Sequence, residues 1–328
     1  MATLENRGSH PETSLRGRIN PICDLFADLI RMIIFYGEGR LGNQIFQYRA
    51  LNRVAKNGEA VLAIGFENLE EVFDIRGSPI CVLSRDYWIK RLFKYIVVPF
   101  LLRPLGRTLK LINYAHEPET RVGRRRGYSG DLILSTGIFR RVTFADGGCY
   151  QSGLDSSDIF PLPMLRLKPE VCDKAQDFLR RIGEETSKRP AFVHVRRGDY
   201  LSHANYGNDQ IVLPGAFYRD AMKEIEERLG PTHFVFVTDD PPWVEENFSD
   251  VPDKTVAAFE PTTDFAIMAE CQAGVLSNST FSLAAALLMR EPEVVVGPLY
   301  WFGFRSGEWR PPKIRFDHPK FTYLPVRF

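Results

Sequence analysis

Residues 191–200 read Ala-Phe-Val-His-Val-Arg-Arg-Gly-Asp-Tyr, a strand-like run that ends directly at two arginines, a glycine and an aspartate. Short runs of aromatic and β-branched residues are typical of buried strands, so we predict a strand over 191–195. Ligands of open parallel sheets bind at the carboxyl ends of the strands. We therefore expect residues 196–200 to contribute to a binding site.

The rest of the second half alternates between strand-like and helix-like patterns. Strands are predicted over 233–237, 274–276 and 293–296, and helices over 169–185, 215–229, 264–271 and 281–289. Alternation at this spacing predicts an α/β fold with a doubly wound parallel sheet.

The first half begins in the same way. A strand over 32–36, a glycine-rich loop over 37–42, a helix over 43–56 and a strand over 60–64 follow one another. Such a crossover predicts parallel strands. Because 328 residues are too many for one small domain, we predict two α/β lobes.

The predicted lobes cover residues 32–165 and 166–328. Residues 1–31 are polar up to Asn20, and charged side chains interrupt the apolar stretch over 21–31. That pattern fits neither a signal peptide nor a membrane span. We predict a poorly ordered tail or a short helix there.

A basic amphipathic insertion is predicted over 85–126. It contains eleven Lys or Arg against three Asp or Glu, and it encloses the apolar stretch 95–102. Such a segment fits peripheral contact with an anionic membrane, or a wall of an acceptor cleft. A basic helix pair packed on the first lobe fits as well. Because Pro99 lacks a backbone N–H, we expect it to prevent one continuous helix here.

Composition narrows the class of protein. A net charge of +1 argues against a dedicated nucleic-acid binder, which usually carries a strong basic excess. The five cysteines include no CxxC pair, which fits reduced thiols better than a disulfide framework or a zinc site. We expect a cytoplasmic enzyme, either free or peripheral to the inner face of a membrane.

The arginine pair after the strand over 191–195 is the first candidate site. Two adjacent guanidinium groups are costly to bury unpaired, whereas Arg196 or Arg197 at a strand end can bind phosphate oxygens in a bidentate manner. Gly198 allows the chain to turn, and Asp199 can orient an arginine or accept a proton from a substrate. The alternative is a surface turn closed by salt bridges.

Two aspartates follow the strand over 233–237. A carboxylate at this position commonly accepts hydrogen bonds from a ribose or a base edge, and either residue could instead cap the helix that Pro241 begins. We expect Asp239 and Asp240 to divide these two tasks. No nearby His, Asp or Glu cluster completes an oxygen-rich shell, so no metal site is predicted.

The third edge carries an unusual number of hydroxyl groups. Residues 277–282 read Ser-Asn-Ser-Thr-Phe-Ser before an alanine-rich helix. Hydroxyl and backbone N–H groups at a helix N-terminus can bind an anion. Ordinary N-capping is the alternative, although one serine would satisfy it.

The fourth edge resembles a dinucleotide-binding loop. Residues 37–42 read Gly-Glu-Gly-Arg-Leu-Gly between a strand and a helix, with Glu67 beyond the next strand. Alone, this pattern suggests an NAD-dependent oxidoreductase. Against it, Arg40 would crowd the pyrophosphate, and the amides of Asn43 and Gln44 lie where the helix should pack closely.

Several of these segments, taken together, resemble the α-1,2-fucosyltransferases of glycosyltransferase family 11. The matching segments occur in the family's order at residues 39–48, 150–152, 194–200, 234–240 with Trp243, 264–268 and 277–282. Six ordered segments are far more specific than any one of them.

The resemblance implies an inverting, metal-independent enzyme of GT-B architecture, with two Rossmann-like domains whose parallel sheets face a cleft. It would transfer L-fucose from GDP-β-L-fucose to the 2-hydroxyl of a galactoside, with no cofactor beyond the donor substrate. Residues 32–165 would form the acceptor side, and 166–328 would bind the GDP-sugar. A catalytically inactive, sugar-binding paralogue is a further alternative.

The resemblance also assigns catalytic roles. Arg196 would neutralise the β-phosphate of the departing GDP, and His194 would help to hold the nucleotide. Arginine and a helix N-terminus can stabilise this leaving group without Mg²⁺. The candidate general base for the acceptor hydroxyl is Asp199.

The remaining assignments concern donor binding. The resemblance implies that Asp239 contacts the guanosine and that Ser279, Thr280 and Phe281 cradle the pyrophosphate. It places Asn43, with Gln44, in the cleft wall of the first lobe, and Asp264 belongs to a matched donor-binding segment. Leu283-Ala-Ala285 replaces a tryptophan pair that is common in the family, which puts the choice of acceptor in doubt.

Overall fold

Two six-stranded sheets, one in each half of the chain, form the framework of a computed structural model. The structure describes residues 32–328 except 56–58, 76–79, 84–86, 118, 123–124, 129–132, 146–147, 149, 151–164, 203–209 and 312–313. The predicted tail over residues 1–31 lies outside the described residues.

The first sheet has the strand order β3-β2-β1-β8-β4-β7. Its pairings are parallel except that of β4 with β7, and β5 and β6 form a separate hairpin. The strands are β1 Met32–Tyr36, β2 Ala60–Ile64, β3 Ile80–Leu83, β4 Ile112–His116, β5 Glu119–Val122, β6 Arg125–Tyr128, β7 Ile133–Ser135 and β8 Phe139–Ala145. The helices are α1 Leu41–Val54, α2 Glu67–Val72 and α3 Tyr87–Leu92.

The second sheet is parallel throughout, in the order β11-β10-β9-β12-β13-β14. Its strands are β9 Arg189–Val195, β10 Thr232–Thr238, β11 Lys254–Ala257, β12 Ala273–Val275, β13 Val294–Pro298 and β14 Phe321–Leu324. The helices are α4 Pro169–Thr186, α5 Gly215–Leu229, α6 Pro241–Asn247, α7 Pro261–Glu270 and α8 Thr280–Ala286. This is the strand order of the Rossmann fold. The predicted α/β class with two Rossmann-like halves is confirmed.

Helix α4 shows how the sequence pattern produces the packing. Val171, Ala175, Leu179 and Ile182 recur every three or four residues and are buried, which gives the apolar stripe of an amphipathic helix. Ser187 ends the helix in the left-handed conformation, with φ 55°. The buried stripe joins a hydrophobic cluster to which both halves contribute.

The two halves meet where helices α1 and α8 begin. A Cβ atom on Gly42 would lie 2.6 Å from the backbone nitrogen of Phe281, closer than any side chain tolerates. Across the same contact, the Thr280 hydroxyl donates a hydrogen bond to Oδ1 of Asn43 at 3.0 Å. Glycine at position 42 therefore allows the first turns of the two helices to touch.

The first part of the basic segment, residues 87–108, adopts a continuous helical path, which contradicts the expected interruption at Pro99, and the rest of the segment forms β4 to β6. Beyond α3, π-helical turns run over Phe93–Leu102 and Pro104–Thr108. The Arg103 N–H donates to the Val98 carbonyl, five residues back. In this wider turn the proline ring has more room, and the missing N–H costs one hydrogen bond without breaking the helix. Among the described residues, no helix combines the length and apolar character needed to cross a bilayer.

Candidate functional site

The second sheet reverses its strand order between β9 and β12. Such a reversal opens a crevice at the carboxyl ends of the two strands. Strand β9 leads into Arg196, and β12 leads into the run 277–282. The topology thus brings together two of the strand edges predicted from sequence. The third edge, with Asp239 and Asp240, lies beside them because β10 pairs with β9 on the other side.

Arg196 is held between two carboxylates. Its Nη1 lies 2.8 Å from Oδ2 of Asp239, and its Nη2 donates a hydrogen bond to Asp199. The guanidinium carbon lies 5.6 Å from the ring centroid of Tyr200. The side chain of Arg196 is 18% exposed and that of Asp199 is 53% exposed. Because Asp199 is the more exposed of the two, a ligand that enters the crevice can displace its carboxylate while Arg196 stays in place.

Arg197 turns away from Arg196 and makes its own contacts. Its Nε donates to Oδ2 of Asp240 at 3.0 Å, and its guanidinium lies 4.2 Å from the ring centroid of Trp243. A cation stacked and paired in this way is fixed in place. We call Arg196, Arg197, Asp199, Asp239 and Asp240 the charged edge. The salt bridges that the sequence allowed as an alternative are present within it.

One of the two tasks expected from sequence, the capping of a helix, falls to Asp240, whereas contact of Asp239 with a ribose or base stays a prediction. Oδ1 of Asp240 accepts a hydrogen bond from the Trp243 N–H and caps α6. Oδ1 of Asp239 accepts from the Arg197 N–H at 2.8 Å, while its other oxygen faces Arg196. A Cβ atom on Gly198 would lie 2.5 Å from this carboxylate, so the glycine lets Asp239 reach the turn.

His194 lies beneath the charged edge. It is 4% exposed, and its Nδ1 is hydrogen-bonded to Oγ of Ser277 at 2.7 Å. Burial, followed by the charge of Arg196, lowers the pKa of His194 to about 3. The imidazole is therefore neutral near pH 7, and its geometry suits a positioning residue.

The hydroxyl-rich run is tied into the protein by its own side chains. Ser279 accepts a hydrogen bond from the Phe281 N–H and caps α8. Ser282 donates to the Ser279 carbonyl, and Thr280 donates to Asn43. The hydroxyl groups of Thr280 and Ser282, which are not needed for capping, thus fix the conformation of the run over 277–282. Thr280 and Phe281 remain half-buried at the crevice.

The glycine-rich loop over residues 37–42 is fixed by buried amides. Gln44 donates to the Gly65 carbonyl at 2.9 Å and accepts from the Leu69 N–H at 2.9 Å. It is 2% exposed. The expectation that Gln44 lines the cleft is therefore wrong, because its buried amide bonds to the backbone of Gly65 and Leu69, in the segment that follows β2.

The same loop is poorly suited to a dinucleotide. The side chain of Asn43 packs on Gly39, where a Cβ atom would lie 2.5 Å from Nδ2 of Asn43. Gly42 packs on the backbone of Thr280 and Phe281. The glycines thus allow close contact with protein, at the positions where a dinucleotide-binding loop would admit a pyrophosphate.

Gln47 was not predicted as part of the site, and Tyr200 was predicted only as a member of the segment 196–200, without a role of its own. Gln47 donates to the carbonyls of Glu38 and Gly148, both at 2.8 Å. The Tyr200 hydroxyl donates to the Asn278 carbonyl at 3.3 Å, and burial raises its pKa to about 12. The only available signal was the position of Tyr200 directly after the charged turn.

Asp264 lies one helix behind the crevice, in the first turn of α7. The neighbouring ring of Phe265 packs edge-on against Phe281, with 5.4 Å between centroids. Burial, with the nearby charge of Glu260, raises the pKa of Asp264 to about 7. The carboxyl group thus retains a proton near neutrality in a substantial fraction of molecules.

Comparison with known proteins finds similarity to glycosyltransferases. The family model described as Glycosyl transferase family 11 matches residues 146–302, which contain the whole charged edge. The O-antigen biosynthesis glycosyltransferase WbnK of Escherichia coli is 27% identical over 289 residues, covering 81% of this chain and 93% of the relative. Galactoside alpha-(1,2)-fucosyltransferase 2 of Pongo pygmaeus is 24% identical over 76% of this chain and 67% of the relative.

Two solved structures also align with most of this chain, at low identity and with TM-scores below 0.5. The fucosyltransferase NodZ from Bradyrhizobium is 12% identical, with a TM-score of 0.46, over 82% of this chain and 94% of that structure. The ADP-heptose LPS heptosyltransferase II of E. coli is 12% identical, with a TM-score of 0.45, over 89% and 90% of the two chains. The sequence matches thus make the chain similar to glycosyl transferase family 11, over the part that holds the charged edge.

Proposed function

We propose that this glycosyltransferase moves L-fucose from GDP-β-L-fucose to the 2-hydroxyl of a galactoside, with inversion at the fucose anomeric carbon. Relatives from animals carry the name galactoside fucosyltransferase, which supports the donor sugar and the acceptor class. The chemistry of the charged edge supports a diphosphate leaving group.

The single observation that carries the proposal is the setting of Arg196. This guanidinium lies at the topological switch point of a Rossmann sheet, where nucleotide phosphates bind. Asp239 holds it from one side, and the more exposed Asp199 holds it from the other. A planar fork with one readily displaced partner suits bidentate binding of a phosphate.

Donor binding would exchange one anion for another at Arg196. The β-phosphate would take the place of Asp199, while Asp239 keeps the guanidinium oriented. As the fucosyl–oxygen bond breaks, the electron pair goes to the β-phosphate oxygen, and Arg196 stabilises the added negative charge. The half-buried Thr280 and Phe281 lie at the adjoining strand end, where they would contact the pyrophosphate.

The displaced Asp199 would then be available as the general base. A carboxylate released from its ion pair can accept the proton of the acceptor hydroxyl as that oxygen attacks the anomeric carbon. His194 would hold the turn from below as a neutral positioning residue. Contact of Asp239 with the guanosine stays a prediction. Both carboxylate oxygens of Asp239 already have partners, one the Arg197 N–H and the other Arg196.

The protein groups of the charged edge supply the positive charge for this scheme without a metal. Asp239 and Asp240 are each engaged by an arginine, which leaves them poorly disposed to bind a cation. We therefore propose metal-independent transfer, and we expect full activity after dialysis against EDTA.

Product analysis tests the proposed reaction. The protein is incubated with GDP-fucose, or in separate reactions with other nucleotide sugars, and a panel of galactosides and non-galactosides, and the linkage in each product is determined by NMR. We expect an α-1,2-fucosylated galactoside. A different linkage would refute the acceptor assignment, whereas transfer only from another nucleotide sugar would refute the donor assignment.

The two other candidate functions give different outcomes in the same assay. A sugar-binding protein without turnover would bind GDP and a galactoside but yield no product. A dehydrogenase would bind NADH through the glycine-rich loop, and the packing of Gly39 and Gly42 against protein atoms disfavours this.

A further inference from the structure

One side of the basic helical segment presents apolar side chains to solvent. Trp88, Leu92, Ile96 and Phe100 recur every four residues and form what we call the exposed apolar face. Trp88 is 66% exposed and Phe100 is 77% exposed. Four-residue spacing in a helix of about four residues per turn aligns side chains in one row.

The opposite side of the segment anchors it to the protein. Val98, Leu102 and Gly106 are also four residues apart and are buried. Val98 and Leu102 join a cluster that contains Tyr114, and a Cβ atom on Gly106 would lie 2.4 Å from Cβ of Tyr114. The exposed apolar face is therefore carried by a helix that is packed on the first sheet.

The charge of the segment has a single sign. Residues 87–110 contain six Lys or Arg and no Asp or Glu, in a chain whose net charge is +1. Arg91, Arg107 and Lys110 are exposed. The partner of this surface must therefore be negatively charged as well as apolar.

Exposed apolar side chains continue beyond the helix. Ile138 is 74% exposed and Phe139 is 64% exposed. Their backbone N–H groups donate to the carbonyls of Lys110 and Leu111, which places them at the end of the helical segment. Apolar side chains that extend from a helix to a neighbouring loop suit a broad partner better than a single peptide.

The segment also lies close to the cleft side of the first half. Val98 and Leu102 of the segment pack in one cluster with Tyr36, the last residue of β1. The loop over residues 37–42 follows immediately and leads to Asn43. A partner on this surface would thus lie near the path by which an acceptor reaches the crevice.

We propose that the exposed apolar face and its flanking cations dock on the headgroup–acyl boundary of an anionic lipid bilayer. Tryptophan and other aromatic side chains favour this boundary, and lysine and arginine bind the lipid phosphates. A second copy of the chain fits less well, because two surfaces of the same positive sign would face one another. This proposal is independent of the donor and the acceptor.

Vesicle sedimentation tests the proposal with the full chain. Sucrose-loaded vesicles of phosphatidylcholine alone, or with phosphatidylglycerol at about one third of the lipid, are mixed with the protein at low and high salt. We expect binding to the anionic vesicles that weakens at least tenfold at high salt, because surface attraction to anionic lipid is screened.

Two sets of variants separate the apolar and charged contributions. We expect Trp88→Ser with Phe100→Ser, and separately Arg91→Glu with Lys110→Glu, to weaken binding at least tenfold. The matched controls lie on the second half: Phe328→Ser, which removes an apolar side chain that is 70% exposed, and Lys174→Glu with Lys223→Glu. Equal loss in the controls, or no binding by the parent chain, would overturn the proposal.

A spectroscopic measurement keeps the test valid if a variant folds poorly. Lipids brominated in the acyl chain should quench the fluorescence of Trp88 in the parent chain. Trp88→Phe keeps an aromatic side chain, so it should retain vesicle binding and lose most of the quenching. Unchanged quenching in this variant, or a dimer in analytical ultracentrifugation with no lipid binding, would assign the surface to another use.

Discussion

The charged edge and the glycine-rich loop both follow a parallel strand, and both contain glycine, arginine and an acid, yet they are built for different tasks. At the charged edge, Arg196 is paired with carboxylates that are partly exposed. In the loop over residues 37–42, the buried amides of Gln44 and Gln47 donate to the carbonyls of Gly39 and Glu38. A side chain whose partner is exposed to solvent can exchange that partner for a ligand. A backbone group bonded to a buried amide cannot, because breaking the bond leaves a buried polar group without a partner and costs free energy.

Arg196→Lys should have the largest effect. It tests whether the charged edge, unlike the glycine-rich loop, binds a ligand. An ammonium group cannot reproduce the planar fork that binds Asp239 and that, under the proposed function, would bind a phosphate at the same time. We expect turnover with GDP-fucose to fall about 100- to 1,000-fold, with little change in thermal stability. Initial rates at saturating donor and acceptor give the measurement.

Arg219→Lys is the matched control. Arg219 also binds a carboxylate with two nitrogens, at 2.8 and 2.7 Å from Asp250, but it lies on α5 away from the crevice. Its substitution should leave turnover near the parent value. Similar losses in the two variants would show that arginine pairing matters only for the fold.

Gln44→Leu tests the loop side of the comparison. The substitution leaves the Gly65 carbonyl and the Leu69 N–H without their partner in a buried position. We expect the free energy of unfolding to fall by about 3 kcal/mol, measured by urea denaturation. Gln176→Leu removes an exposed amide and should cost less than about 0.5 kcal/mol. Equal costs would mean that the loop does not depend on buried amides.

The contrast also explains what could be predicted from sequence. Arg196, Asp199, Asp239 and the run over 277–282 stand directly after strand patterns, so the rule for parallel sheets brings them together without knowledge of any contact. The partners of Gln47 are backbone groups of Glu38 and Gly148, and Gly148 is 101 residues away. An amide with distant backbone partners leaves no local pattern, so nothing in the sequence corrected the cleft position that the resemblance implied for Gln44.

The helical path through Pro99 was missed for a related reason. Proline predicts a break when the helix is of the α type. The packing of Val98 and Leu102 on the first sheet favours a wider helical turn, and a tertiary preference of this kind cannot be seen in the segment alone.

The neutral state of His194 gives a pH-dependent test of the layer beneath the charged edge. The folded-state pKa of about 3 lies below the ordinary value, so the unfolded chain gains a proton first as the pH falls. Stability from this group is complete above about pH 6.5 and is lost toward pH 3. Between pH 7 and 5, the parent chain should lose about 2 kcal/mol more than His194→Gln. Parallel stability curves for the two proteins would contradict the buried neutral imidazole.

Thr280→Val should have the smallest effect. It tests the contact between the two halves of the chain. It removes the hydrogen bond from Thr280 to Asn43 between the halves while preserving the shape of the side chain. We expect the KM for the donor to rise about fivefold, which corresponds to about 1 kcal/mol. Thr255→Val removes a hydroxyl bonded to His233 on the second sheet and should leave KM unchanged.

The central claim is that Arg196 binds the β-phosphate of a guanosine diphosphate donor. Isothermal titration of GDP and GMP into the parent chain and into Arg196→Ala tests it directly, because the two nucleotides differ only by that phosphate. We expect the parent chain to prefer GDP by at least tenfold, and Arg196→Ala to bind both nucleotides with nearly equal affinity. If the preference for GDP survives unchanged in Arg196→Ala, the β-phosphate is bound elsewhere and the account is wrong.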